Sequence, residues 1–436
     1  MILDNHPFEV NTNGHLEIGG VDTVELAEKY GTPLYVYDVG MIRRNARTFV
    51  DTFKEMNVKA KVAYASKAFS SIAMLQVAKQ ENLCLDVISE GELYTALEAK
   101  FPTERIHMHG NNKSRQEIAM AIENDIGCIV IDNLYDIELI EEELAKQNKR
   151  IDVLLRVTPG VELKTHQYII TGNEDSKFGF NLQNGQAKEA FEKLYEHESI
   201  NLIGLHCHIG SQIFETEGFR VAVDILFNEL SNWKAEFDYI PEVLNLGGGF
   251  GIRYTKEDEP LPYSDYVKAT VDAVQEHSKT LQIPMPEIWI EPGRSIVGNA
   301  GITLYTIGSI KQIPGVRDYV SVDGGMTDNI RPALYQAKYE AVIANNPQAK
   351  VVKKVSIAGK ACESGDMLIW DLPVPEVTHG DILAVFSTGA YNYSMASHYN
   401  RLPNAAVVFA EDGNDKLVVK RETFEEVVKN DLSYEL

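Results

Sequence analysis

Cysteine is scarce in these 436 residues: four thiols, at 84, 128, 207 and 362, with no CxxC pair among them. That usage belongs to reduced intracellular chains, so no disulfide is expected. Positive charge is short too, with 41 Lys and Arg against 64 Asp and Glu and a formal net charge of −23. So acidic a chain repels nucleic acid and anionic membranes at range. Neither is expected as a partner, and any phosphate must be gripped by local geometry. No 18 apolar residues run together, and the opening MILDNHPFEV lacks both a basic n-region and an apolar h-region. These absences point to a soluble, cytoplasmic protein. Internal repeats and low-complexity tracts are missing as well. What is present, 44% hydrophobic and 24% charged residues, suffices for two globular domains, or one large and one small.

From residue 61 a rhythm sets in. Short apolar segments at about 61–66, 83–89, 105–110, 128–133, 152–157, 201–209, 242–247 and 287–291 read as strands, with helix-period stretches between most of them. DIELIEEELAKQ (136–147) and SDYVKATVDAVQEHSKTL (264–281) are amphipathic helices, the second with Ser264 as its N-cap. Eight strands alternating with helices predict an α/β fold, a (β/α)8 TIM-like barrel. PLYVYD (33–38) makes a ninth strand, and the count alone does not say where the barrel begins. After Arg294 the pattern turns to β runs at 301–313, 319–325, 349–359, 381–387 and 405–421, the last holding DGND between two alternating stretches. A second, all-β domain, sandwich or barrel-like, is expected there, with residues 1–38 contributing.

In such a barrel the chemistry sits at the C-terminal ends of the strands. In KVAYASKAF (61–69), Lys61, Ala63, Ala65 and Lys67 share one face, and the alanines leave a hollow beneath the Lys67 amine. Strand two puts Cys84, Asp86 and Ile88 on one face and strand five Leu154, Arg156 and Thr158. Inward Asp86 and Arg156 either neutralise each other or tune the site. Strand six places Leu202, Gly204, His206 and His208 together and Cys207 opposite; alternation thus parts the thiol from the imidazoles, and no metal is expected.

Strand seven ends in GGGFG (247–251) and strand eight in EPGR (291–294). The glycines fit neither GxGxxG nor a P-loop. Yet the loops after strands seven and eight are where these barrels hold phosphate, through approachable amides, and Ser211 could add a donor. An amine, a phosphate cradle, an imidazole and the Glu291 carboxylate together suit pyridoxal 5'-phosphate. The amine takes the aldehyde, and the carboxylate keeps the pyridine nitrogen protonated. A protonated ring favours loss of carbon dioxide from Cα. The competing reading of Glu291 is a salt bridge to Arg294.

YASKAF, HCHIGSQ, GGGFG, EPGR, DGGMTDNIRPALY, ACESGD and GAYNYSM stand in this order, and through them the chain resembles, from about residue 8 to 430, the diaminopimelate decarboxylase family of alanine-racemase-like, fold-type III pyridoxal phosphate enzymes. The resemblance implies a barrel over 39–295 and a β domain from 1–38 and 296–436, with PLYVYD outside the barrel. It implies Lys67 as the Schiff-base lysine and His208 as the imidazole on the cofactor ring. Ser211, Gly247, Gly248, Gly249 and Gly293 would lie at the cofactor and its phosphate, Glu291 on the pyridine nitrogen, and Arg294 against substrate or phosphate. In the β domain Arg331 and Tyr335 would grip a distal carboxylate, Glu363 a distal ammonium, and Tyr391 phosphate and substrate. Cys362 would be the proton donor. Cys362 and Glu363 would reach the barrel of a neighbouring subunit in a homodimer.

The implied reaction turns meso-2,6-diaminopimelate into L-lysine and carbon dioxide, the last step of lysine biosynthesis. An arginine fork suits it, because a decarboxylase of lysine or ornithine has no second carboxylate to hold. The alternatives are a related acidic substrate, such as a carrier-bound glutamyl group or carboxynorspermidine, and a protein that binds the cofactor without catalysis. Two positions depart from the family pattern: Lys360 where proline is usual, and Gln336 where glycine is.

Overall fold

The computed structural model describes residues 6–160 and 176–435. They form two compact units, one of Arg44–Gly251 with Pro260–Ile296, the other of Met1–Arg43, Ile252–Glu259 and Val297–Leu436.

The first unit holds eight parallel strands: Ala60–Ala65, Cys84–Val87, Ile106–Met108, Cys128–Ile131, Ile151–Thr158, Ile200–His206, Val243–Asn245 and Glu287–Ile290. Strand eight pairs with strand one and strand four with strand five, which closes the barrel. Each lies within three residues of its expected position. A two-residue strand, Phe180–Asn181, pairs beside strand five without a sequence signal. Cys128, Val130, Leu154, Ile203, Val243 and Trp289 cluster as an apolar core.

Strand six departs from strict alternation. Leu202 pairs with Val153 but Gly204 with Leu154, so Ile203 is an inserted bulge residue. Leu202 therefore falls on the opposite face from Gly204 and His206, and Ile203 joins the core cluster in its place. The first four strands each lead into a helix capped by a short polar side chain. Ser71, Ser89, Ser114 and Asn133 accept from the amides of Met74, Glu92, Glu117 and Asp136. Each cap stabilises its helix start by about 1 kcal/mol and fixes how the chain leaves the strand end. The expected helix at 136–147 is Leu134–Gln147, with Ile137, Ile140 and Leu144 buried. The helix Tyr263–Leu281 starts one residue before Ser264, which is therefore not its N-cap; Pro262 holds that position and its ring pre-sets the entry.

The second unit holds a sheet in the order Met367–Val374, Lys353–Ala358, Arg317–Val322, Gly301–Ile313, Leu34–Asp38, Ala406–Glu411, Asn414–Val419, with Ile382–Val385 paired to Gly301–Ile313 and Ala341–Ile343 paired in turn to Ile382–Val385. Leu34–Asp38 runs antiparallel to Gly301–Ile313 and parallel to Ala406–Glu411. PLYVYD therefore belongs to this sheet and not to the barrel. The DGND hairpin is present, turning through Asp412 and Gly413 at φ of 50° and 77°. The strands at 341–343 and 367–374 had no counterpart in the sequence reading. Among the described residues no helix is long and apolar enough to cross a membrane.

Candidate active site

Strand one ends at Ala65, and Ser66–Ala68 form a 3-10 turn that carries Lys67 off the strand. Alternation stops before reaching Lys67, and the expected hollow is filled. Ala65 donates its N–H to the Pro292 carbonyl at 3.2 Å, and a Cβ on Gly293 would lie 3.0 Å from Ala65 Cβ and 3.2 Å from Ala68 Cβ. The alanines are small because the EPGR backbone lies against them. Lys67 is exposed, and among the described residues its amine has no hydrogen bond or ion pair. Lys61 turns instead to Trp289, with Nζ 4.3 Å from the ring centroid.

Glu291, just past strand eight, is buried under three donors. Its Oε1 accepts from Asn245 Nδ2 at 2.6 Å and lies 2.8 Å from His109 Nε2; its Oε2 meets His206 Nε2 at 3.1 Å. Arg294 is not among its partners and donates from Nη2 to Ser211 Oγ at 2.9 Å. Burial alone would raise the Glu291 pKa, but His109 and His206 outweigh it and hold the carboxyl well below the usual range. Burial likewise opposes a charge on His109, where Asp86 and Glu291 prevail and raise the pKa. At His206 burial wins, and its pKa falls to about 4, so this ring donates while neutral. His109, His206 and Glu291 bring one ligand atom each within 4.8 Å of the others, but their N···O separations are those of hydrogen-bonded and ion-paired groups sharing protons.

Asp86 does not meet Arg156. Its Oδ1 lies 3.7 Å from His109 Nε2, whereas Arg156 Nη1 lies 3.6 Å from Asp132 Oδ2. Asp132 follows strand four, the neighbour of strand five; strand two is not adjacent to it. Burial raises the Asp86 pKa, with His109 pulling the other way.

Past strand six, His208 Nδ1 accepts from the Gly248 amide at 3.2 Å. Burial, with Lys67 and Arg156 nearby, pushes its pKa well down, which leaves a neutral ring whose proton sits on Nε2. The glycine run is dictated by backbone proximity. A Cβ on Gly247 would lie 2.6 Å from the Cys207 carbonyl oxygen, on Gly248 2.1 Å from that of Glu291, and on Gly249 2.3 Å from that of Gly210. Among the described residues nothing accepts from the Gly249 N–H.

In the other unit, Arg331 opens the short helix Arg331–Tyr335 and is buried. Its Nη1 donates to Tyr254 Oη at 2.8 Å and Tyr339 Oη at 3.0 Å, and its guanidinium lies 5.8 Å from the Tyr335 ring centroid. No carboxylate among the described residues pairs with it. Gln336 ends this helix at φ 53°, a left-handed position where glycine carries no Cβ penalty. Cys362 and Glu363 stand exposed on a loop pinned by Asp366, whose carboxylate accepts from the Ala361 and Met326 amides. Asn400 Oδ1 accepts from Cys362 N at 2.7 Å. Tyr391, half-buried, also takes a left-handed backbone, φ 68°. Cys84, Cys128 and Cys207 are buried, and burial pushes the Cys84 and Cys207 thiols up to about 11 and about 12.

Residues 39–298 match the family described as pyridoxal-dependent decarboxylase, pyridoxal binding domain. A diaminopimelate decarboxylase of Bacillus subtilis (strain 168) is 62% identical over 424 residues, covering 97% of either chain. The chain belongs to the diaminopimelate decarboxylase family. Another relative of that name, from Staphylococcus aureus (strain COL), is 49% identical over 422 residues and covers 97% of this chain and 98% of its own. The crystal structure of diaminopimelate decarboxylase from M. jannaschii in co-complex with L-lysine shares the fold at a TM-score of 0.92, with 34% identity over 99% of this chain and 98% of that one.

The residues present fit the pyridoxal phosphate of the diaminopimelate decarboxylase family. An exposed amine without an acidic partner among the described residues, an amide likewise unpartnered among them beside glycines whose Cβ would meet backbone, and a buried ionised carboxylate with acceptor capacity left are what that group needs. Sequence reasoning missed His109, Asn245, Tyr254 and Tyr339. For His109 a signal existed: IHMHG at 106–110 repeats the His-x-His alternation of strand six at the end of strand three.

Proposed function

We propose that this chain decarboxylates meso-2,6-diaminopimelate to L-lysine and carbon dioxide. The observation that carries the substrate assignment is Arg331, a buried guanidinium held by two phenols and, among the described residues, by no acid. A buried cation without a counter-charge is costly, and an incoming carboxylate supplies one. When bound, pyridoxal phosphate supplies the electron sink that takes the pair left as carbon dioxide departs. Lys67 Nζ would hold its aldehyde carbon. Ser211, Arg294, Gly293 and the glycine loop of Gly247, Gly248 and Gly249 would hold its phosphate, with Tyr391; the Gly247 and Gly248 amides already donate to Asn245 Oδ1 and His208 Nδ1, so the Gly249 amide is the loop's donor. The neutral His208 ring would cover its ring, and Glu291 would accept from the ring nitrogen. Arg331 and Tyr335 grip the carboxylate that stays, and Glu363 the ammonium beside it. The carboxylate that leaves is given no such partner, so binding energy at the far end is used to strand it. Cys362 Sγ delivers the proton that replaces it on Cα. Cys362 and Glu363 serve the barrel of a second copy, the barrel and β domains divide near residue 295, and the enzyme works in the cytoplasm.

The test is release of carbon dioxide and L-lysine from meso-diaminopimelate by purified protein with pyridoxal phosphate, run beside L-lysine, L-ornithine and L-arginine. Product from diaminopimelate alone supports the assignment. Product from the other amino acids refutes the Arg331 grip. No product from any, with cofactor bound, turns the assignment to a related acidic substrate or to binding without catalysis.

A further inference from the structure

His109 is a buried group for which the roles above have no use. It stands one residue past strand three, 4% exposed, and its Nε2 faces two carboxylates, Glu291 Oε1 at 2.8 Å and Asp86 Oδ1 at 3.7 Å. It makes no hydrogen bond of ordinary geometry to either oxygen, so its hold on the two carboxylates is one of charge and proximity. The other charged and titratable groups around it come from several elements. They are Lys67 after strand one, Arg156 on strand five, His206 on strand six with its ring edge-on at 4.9 Å, and His107 on its own strand. Arg156 is engaged by Asp132. Burial keeps His206 and His107 neutral, at about 4 and about 3. Asp86 and Glu291 are thus two buried acids with one ring between them. Without a cation there, two like charges in a dry pocket do not both stay ionised; one takes a proton.

We propose that His109 is a positioning residue for the pyridine end of the cofactor: as an imidazolium bridging Asp86 and Glu291, it keeps Glu291 ionised with one acceptor position on Oε2 left for the ring nitrogen. The acceptor count agrees. A carboxylate offers about four positions. On Glu291, Asn245 donates to Oε1, which His109 Nε2 also crowds at 2.8 Å, and His206 takes one position of Oε2. The three donors divide the work: Asn245 and neutral His206 orient the carboxylate, and His109 sets its protonation. This rests on the reading of Glu291 as the partner of the pyridine nitrogen.

The test uses holoenzyme loaded with pyridoxal phosphate carrying 15N in the ring, and compares wild type with H109Q, H109Q/D86N and E291Q across the neutral pH range. Glutamine keeps a donor and removes the charge. The wild type is expected to show a protonated ring nitrogen. H109Q should lose it near neutral pH, with kcat down about tenfold or more and KM changed less than about twofold. Adding Asp86→Asn should return the protonated nitrogen, because one carboxylate no longer competes for the charge. A packing role for His109 would produce no such recovery. A ring nitrogen in H109Q that titrates as in wild type, or no recovery in the double variant, overturns the proposal. A nitrogen still protonated in E291Q overturns the Glu291 reading itself, separately from His109. Should H109Q fail to fold, wild type labelled with ring-15N histidine decides. A histidine with both ring nitrogens protonated at mildly alkaline pH, responding to cofactor loading, is expected, and its absence overturns the proposal.

Discussion

Gly248→Ala is the sharpest test of the glycine cradle, because its cost is purely steric. Gly248, unlike Gly247 and Gly249, does not take a positive φ, so alanine suits its backbone. The added Cβ, however, would sit 2.1 Å from the Glu291 carbonyl oxygen and 2.9 Å from its carbonyl carbon. Ordinary contact begins near 3.4 Å, so the loop and the strand-eight end must part by roughly 1.3 Å. Both neighbours are backbone, and the Glu291 amide is tied to the Gly247 carbonyl at 2.8 Å, so no side-chain rotation absorbs the clash. Overpacking of this size costs about 1–3 kcal/mol in stability. The parting also falls between the proposed phosphate donors and Glu291, and a misplacement of about 1 Å costs about 10²-fold in rate. Expected outcomes are a lower Tm, weaker cofactor binding in a fluorescence titration of the apo-protein, and kcat down about 100-fold at saturating cofactor. Unchanged cofactor affinity and kcat would refute the assignment of this loop to the cofactor.

Four further outcomes are expected. Lys67→Ala should leave Tm nearly unchanged, since the amine is exposed and unpaired among the described residues, while the visible absorbance of covalently held cofactor disappears. Arg331→Gln should lower kcat/KM for diaminopimelate by about 10²–10³-fold, about 3–4 kcal/mol, with cofactor absorbance intact, in steady-state assays. Lys113→Ala should destabilise by about 3–5 kcal/mol in denaturant melts, because its buried amine bonds Asp136, Gly110 and Val130 at 2.9, 2.7 and 2.7 Å and leaves Asp136 uncompensated. Burial, against the Gly325 amide, raises Asp328 to about 7. The folded state thus holds a proton that the unfolded chain has released, and Asp328 costs stability increasingly as pH rises from about 4 to about 7 and fully above that. Asp328→Asn should therefore raise Tm more at pH 8 than at pH 4, and an equal shift at both would refute this.

The barrel was legible because its strands are short apolar runs between helices with polar caps, and because side-chain types at the strand ends are unusual enough to notice. What sequence could not supply were departures from period two and choices of partner. Lys67 is read as a strand residue when it rides a 3-10 turn, since nothing in YASKAF marks the break. The bulge at Ile203 moves Leu202 off its expected face, and Gly204 beside it, a glycine inside a strand pattern, is the one local mark of the insertion. Asp86 and Arg156 both sit among the buried groups at the strand ends, so complementary charge suggested a pair. Strand adjacency gave Arg156 to Asp132 and Asp86 to His109, a residue the reading had passed over. Tyr254 and Tyr339 belong to stretches without a motif; only the folded chain brings both phenols to Arg331.

The two buried charges singled out here are handled in opposite ways. Glu291 is compensated: three side-chain donors surround it and two imidazoles hold its pKa down, so its charge persists in a dry barrel and one acceptor position is open. Arg331 is solvated but not compensated: phenol oxygens accept from it and tyrosine rings line it, yet among the described residues no carboxylate answers it. A fixed anion suits a partner that stays in place and keeps its N–H from turnover to turnover, as the pyridine of a resident cofactor would. A cation without a counter-ion suits a partner that arrives with each turnover and leaves with the product. Had Arg331 a resident acid, the substrate carboxylate would have to displace it, and the Coulombic gain of binding would largely cancel.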